Sequence, residues 1–197
     1  MSVMSRLSLV LLGCASMTLL SAANGITRAQ TLGEPEDFTA LAVVNNNVAS
    51  GAGTVLIHVS RWSTEMERAS LLEALQEKGA DRLLDELKDM QSVGTIRSPD
   101  SLAYDLRYAH QQAGPDGGRQ IVLATDRPIA FWEASHQWRT IEYPFTVLQM
   151  QIAADGKGKG TLSIATKIVA HDDVVELENF STQPVMLTEI TSKKAKP

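Results

Sequence analysis

The 197-residue chain carries 18 basic and 23 acidic residues, a formal net charge of −5, and one cysteine. An acidic chain without a basic stripe argues against nucleic acid and anionic lipid as partners. The lone Cys14 provides neither a disulfide framework nor, once a leader containing it is removed, any thiolate chemistry.

The N-terminus has the layout of a secretory signal peptide. Arg6 supplies a positive start, and Leu7 to Leu20 (LSLVLLGCASMTLL) is a mostly apolar run. That run is shorter than the ~20 residues a membrane span needs, so no span is expected. Small residues at Thr27 and Ala29 set the expected cleavage before Gln30, with residues 1–29 as leader. A minor alternative is a lipoprotein leader, in which Leu11-Leu12-Gly13-Cys14 places the lipid on Cys14. Cleavage after Ala29 leaves 168 of the 197 residues, a length that suits one domain with a full core. With Arg6 and Arg28 gone, 16 of the 18 basic residues face 23 acidic ones, a net charge of −7.

Residues 30–37 are polar and turn-rich and read as a lead-in to a single β-rich domain over 38–191. Phe38 to Val44 and Gly53 to Trp62 have strand character, separated by Asn45-Asn46-Asn47 and Ser50-Gly51. Thr64-Glu65-Met66-Glu67 is a capping box that opens a helix. The helix should stop at Gly79, and a second should follow over about Asp81 to Met90. Leu71, Leu72 and Leu75 make one stripe; Leu83, Leu84 and Leu87 make another. The result is an α-helical hairpin over 64–90, with an apolar face to bury against a sheet.

From Val93 onward the helical period is lost. Val93 to Arg97 reads as a strand. Leu102, Tyr104, Leu106 and Tyr108 then alternate with Ala103, Asp105, Arg107 and Ala109. A Gly/Pro loop, Gly114 to Gly118, leads to the apolar run Ile121 to Ala124. If Gln111 lies opposite Arg119 in this hairpin, Asp105 faces Thr125 and Tyr104 faces Asp126. Charges interrupt these strands, and Trp132 and Trp138 follow in an aromatic crossing from Phe131 to Phe145. The candidate ligand-binding residues are therefore Tyr104, Asp105, Arg107, Asp126, Arg127, Trp132 and Glu133. We expect Arg107 and its neighbours to bridge the acids, because two carboxylates sharing one proton would not need so many arginines.

Phe145 to Ile152, Thr161 to Val169, Val174 to Phe180 and Val185 to Ile190 complete the strand series. Ala154 to Gly160 lacks both the order of a phosphate loop and the helix that must follow one, so it reads as a hairpin turn. Residues 192–197, with Lys193, Lys194 and Lys196, read as a frayed basic tail. Successive strands with tight turns give an α+β, mainly β fold: an antiparallel meander forming a barrel or sandwich with one inserted helical hairpin.

The common catalytic motifs, G-x-S-x-G, H-E-x-x-H and C-x-x-C, are absent from the sequence. His58, His110, His136 and His171 are dispersed without metal-ligand spacing. No cofactor or metal is expected.

Pro99 to Tyr108, Asp116-Gly117-Gly118-Arg119, Ala124 to Ile129 and Phe131-Trp132-Glu133 resemble a family of exported bacterial proteins with no assigned activity. The resemblance extends to Arg61-Trp62 and Tyr143-Pro144-Phe145 and covers most of the expected mature chain. It implies bacterial origin and export and carries no catalytic role with it.

Two functional expectations of different class remain. The first is an exported, non-enzymatic binding or accessory module, periplasmic or extracellular, for a small or anionic ligand. The second is a hydrolase or isomerase using Asp105, Asp126, Glu133 or His136 as acid and base. Structural ion pairs account for the same charges as well as either.

Overall fold

The computed structural model describes residues 33–45, 50–114, 117–129, 145–171, 174–179 and 184–194, and Leu32–Pro197 forms one compact unit. Among the described residues, ten strands and one broken helix follow in the order β1 (Glu36–Asn45), β2 (Ser50–Val59), α1 (Glu65–Asp89), β3 (Gly94–Arg97), β4 (Tyr104–Leu106), β5 (Tyr108–Ala113), β6 (Arg119–Thr125), β7 (Phe145–Ile152), β8 (Lys157–His171), β9 (Val174–Asn179) and β10 (Val185–Lys194). The spatial order is β4-β3-β2-β1-β10-β8-β7-β6-β5, with β9 added on β8, and every pairing is antiparallel.

The two ends of that order are the same piece of chain. β4 and β5 are separated only by Arg107; β4 pairs with β3, and β5 pairs with β6. The Arg107 amide already donates to Ala124 O (2.9 Å), one residue after Leu106 O has accepted from Val93 N (2.8 Å). Ser63, just past β2, covers the far side of β5: its amide donates to Ala109 O (2.8 Å) and its hydroxyl accepts from Ala109 N (3.0 Å). The sheet thus curls into a nearly closed barrel. Closure consumes the strand edges that an open sheet would expose.

Alternation decides what enters the barrel. Phe38, Ala40 and Ala42 of β1, Val55, Ile57 and Val59 of β2, and Ile121 and Leu123 of β6 point inward. They meet Leu148, Met150 and Ile152 of β7, Leu162 of β8 and Leu187 and Ile190 of β10 in one buried cluster. Burying each large apolar side chain stabilises by about 1.5–3 kcal/mol, so the interior is a packed core. β8 bends tightly over β7 at Gly158 and Gly160, where a Cβ would lie within 3.0 Å of backbone carbonyl oxygens of β7. Only glycine permits that approach.

Outward residues at the end of β6 and the start of β7 are also buried, because α1 lies on them. Leu71, Leu75, Leu83 and Leu87 pack on Ala124, Phe145 and Val147, with Tyr108, Val122 and Ile168 at the margin. The capping box is present: Thr64 Oγ1 accepts from Glu67 N (3.1 Å) and Glu67 Oε2 from Thr64 N (2.7 Å). At Gly79 the backbone takes φ 74°, ψ −163° and splits α1 into two arms, pinned together by Ser70 Oγ donating to Glu86 (2.8 Å).

Four sequence expectations need correction. Ala113, not Gln111, stands opposite Arg119, because Gly114 N closes on Gly118 O (2.9 Å) and turns the chain within five residues. The strand expected through 102–109 breaks at Arg107 to change partners. Glu36 and Asp37, assigned to the lead-in, begin β1, and Lys193 and Lys194, assigned to a frayed tail, end β10 opposite them. The Ala154–Gly160 turn is shorter than expected: Ala153 N donates to Lys157 O (2.7 Å), and β8 starts at Lys157.

Leu72 and Leu84 are only half-buried, whereas Leu75 and Leu87 are covered. Leu87→Ala should therefore lower the free energy of unfolding by about 2–5 kcal/mol, and Leu72→Ala by clearly less. Urea titrations of the two variants check this; equal losses would mean that the hairpin packs on another face.

Candidate functional site

Of the residues singled out in the sequence, Asp105, Arg107 and Asp126 meet at the seam where the barrel closes. Arg107 projects from the break between β4 and β5. Its Nε donates to Asp126 Oδ2 (3.2 Å), one terminal nitrogen lies 3.8 Å from Asp105 Oδ2, and the other donates to Met90 O (2.9 Å). Met90 is the C-cap of α1, where unsatisfied carbonyls and the helix dipole favour a cation. One guanidinium therefore joins the helix end to both sheet margins. Asp126 is the tighter partner, its side chain 14% exposed against 46% for Asp105. Ser92 Oγ is a second contact of Asp105, at 3.4 Å.

Tyr104 and Arg127 form a separate pair. Tyr104 leans on the barrel core, and the Arg127 guanidinium lies 5.4 Å above its ring centroid, within cation–π range. Arg127 is exposed and, among the described residues, has no carboxylate within ion-pair distance. Leu102, on the loop before β4, is 90% exposed. Trp132, Glu133 and His136 lie outside the described residues.

At the other end of the barrel is a polar cluster that the sequence reading did not single out. Glu36 on β1 is buried, and both terminal nitrogens of Arg119 on β6 donate to its carboxylate. Ser192 Oγ on β10 donates to the same carboxylate, and Gln111 Oε1 on β5 accepts from Arg119 (2.8 Å). β1 and β6 lie four places apart in the strand order, so this pair spans the barrel. Trp62 sits beside it, its indole donating to Glu34 O (3.1 Å). Period-two phase is the signal that could have found this cluster. Arg119 is in step with the inward Ile121 and Leu123, and Glu36 with Phe38 and Ala40, so both charges must enter the barrel and find each other.

Two smaller arrangements lie on outer faces. Tyr108 and His110 stack on β5 (centroids 6.1 Å apart, planes at 15°). Burial pushes the Tyr108 hydroxyl up to about 12 and lowers His110 below its ordinary value, as expected for groups losing solvent in their charged forms. His58 Nδ1 meets Asp37 Oδ1 (2.7 Å) across β1 and β2, with both side chains about half exposed. Near the helix start, Arg61 donates to both Glu67 oxygens (3.0 and 2.9 Å). That hydrogen bonding, above all, holds the Glu67 carboxyl below its usual range.

Among the described residues no group of three His, Cys, Asp or Glu side chains is placed to hold a metal ion, and no helix is long and apolar enough to cross a membrane. Comparisons with family models, with curated proteins and with solved structures find no match to this chain.

In a double-mutant cycle, Arg107→Gln and Asp126→Asn should couple by about 0.5–3 kcal/mol, more strongly than Arg107→Gln with Asp105→Asn. Chemical denaturation of the single and double variants measures both couplings. Strictly additive losses at both acids would show that Arg107 acts only through Met90 O.

Proposed function

We propose that this chain is an exported, non-enzymatic binding or accessory module that takes a small anionic ligand at the barrel rim carrying Tyr104 and Arg127. The observation that supports this reading is the Arg127 guanidinium, exposed above the Tyr104 ring at 5.4 Å. A cation held over an aromatic face is positioned before a ligand arrives, which cuts the ordering cost of binding. Arg107 engages Asp105 and Asp126, so the acids beside the rim are partly neutralised and oppose an anion less. The same engagement weakens the hydrolase or isomerase reading. An acid–base pair needs a carboxylate free to exchange a proton with substrate, whereas here a guanidinium stands between the two.

Export is the second part of the proposal. It rests on the Arg6 start, the apolar run Leu7–Leu20 and the Thr27-Arg28-Ala29 cleavage pattern. Fractionating bacterial cells that express the full chain should yield a product beginning at Gln30 outside the cytoplasm. A cytoplasmic product retaining residues 1–29 would overturn export. Processing that stops under an inhibitor of lipoprotein signal peptidase would shift the assignment to Cys14.

Calorimetric titration with inorganic phosphate tests the rim. Saturable binding is expected, lost in Arg127→Gln with the melting temperature unchanged and kept in Tyr104→Phe, which preserves the ring. Binding unaffected by Arg127→Gln would remove the rim from the proposal.

A further inference from the structure

The half-buried cluster at the far end of the barrel is arranged as a receptor for a carboxylate and is filled by the buried Glu36 of its own chain. Arg119 presents both terminal nitrogens to the Glu36 carboxylate, the fork geometry that suits arginine to bidentate recognition. Gln111 Oε1 holds the guanidinium from the side (2.8 Å), and Ser192 Oγ adds a third donor. Below this polar layer come Phe38, Ile121, Ile152 and Ile190, all buried. Trp62 forms part of the wall.

The cover over this end is the short segment Gly33–Glu36. Its outer part, residues 33–35, is held by contacts that are separately weak, whereas Glu36 is held by Arg119 and by ladder pairing with Val59 and Lys194. The Trp62 indole donates to Glu34 O (3.1 Å), and Lys194 Nζ pairs with Glu34 at 2.6 Å. The Lys194 and Glu34 side chains are 82% and 71% exposed, and pairs of that kind contribute little. Gly33 passes so close to Gln111 and Trp62 that a Cβ there would fall within 3.0 Å of Gln111 Nε2 and Trp62 Nε1. The segment therefore rests directly on two side chains of the cradle, which a larger residue at 33 would displace. Glu36 is the first residue of β1, where a strand frays most readily.

We propose that this end of the barrel is a binding site for a small carboxylate with an apolar body. The Glu36 carboxylate occupies the ligand's place, and Gly33–Glu36 acts as a strap that lifts to admit it. The ligand carboxylate takes the Arg119 and Ser192 donors, and its apolar part lies against Trp62. The packed layer of Phe38 and Ile121 beneath restricts the site to short ligands. Because the strap must open first, apparent affinity equals intrinsic affinity reduced by the open fraction.

The site is independent of the Tyr104–Arg127 rim, at the opposite end of β6 and about 20 Å away at a strand rise of ~3.3 Å per residue. Benzoate titrated into the purified protein, read at the Trp62 indole N–H resonance, tests it. We expect a saturable shift that chloride and the neutral isostere benzamide do not produce. Glu34→Gln releases the strap at the surface without touching the interior, and should tighten benzoate binding about two- to fivefold. Arg119→Gln should abolish the shift. That variant leaves Glu36 buried without its partner and risks misfolding, so Glu34→Gln carries the decision. Absence of a saturable shift in both wild type and Glu34→Gln, or an equal shift with benzamide, overturns the proposal. Benzoate binding that survives Arg127→Gln supports this site whatever happens at the rim. Phosphate binding lost in Arg127→Gln, with no response to benzoate, leaves the rim reading standing and removes this one.

Discussion

Everything else in this fold depends on one strand serving two partners. Tyr104–Ala113 is a single extended segment that hydrogen-bonds to β3 along its first half and to β6 along its second. Without that division the sheet would be an open ribbon with two long free edges. The division has a geometric cost at its midpoint, where the ladder changes sides and Arg107 belongs to neither strand. The same residue offsets that cost, since its guanidinium reaches the C-terminal end of α1 and an acid on each side of the gap. The charges that interrupt the strand pattern therefore sit where the backbone has least support.

Inside the barrel the same logic applies at a single layer. Burying a glutamate and partly burying an arginine is unfavourable unless each satisfies the other. Arg119 and Glu36 do so with both guanidinium nitrogens, and Gln111 and Ser192 take up further hydrogen-bonding capacity. A hydrophobic pair of equal volume would fill the same space at lower desolvation cost. What the ion pair adds is direction: it ties the first residue of β1 to the first residue of β6 across the core, at a sequence distance of 83. It also makes that end of the barrel polar, and so able to exchange one carboxylate for another.

Features encoded over a few residues are legible in the sequence itself. The Thr64–Glu67 capping box, the stop at Gly79, the leucine stripes and the strand Phe145–Ile152 all follow from local spacing, and each appears with the expected chemistry. The gathering of Asp105, Arg107 and Asp126 was also legible, because two neighbouring strands carry them. Register was not. The Gly114–Gly118 loop admits more than one closing pair, and the observed one moves the strands by two residues, which preserves faces but changes partners. Lys193 looked like tail because nothing nearby in the sequence pairs with it; its partner is Asp37, at the opposite end of the domain. The Glu36–Arg119 contact is hidden for the same reason, although the phase of each residue on its strand announces an inward charge.

The pairing of β1 with β10 also bears on when the molecule can fold. Ser192 Oγ and the Glu36 carboxylate meet across a separation of 156 residues, and the ladder between the strands starts with Glu36 opposite Lys194. β1 must wait for the last strand before its second edge is satisfied, and closing so long a loop is entropically expensive early in folding. Until β10 has emerged, the barrel remains an unsealed sheet. Late closure of this kind keeps the chain open to rearrangement while it is being made.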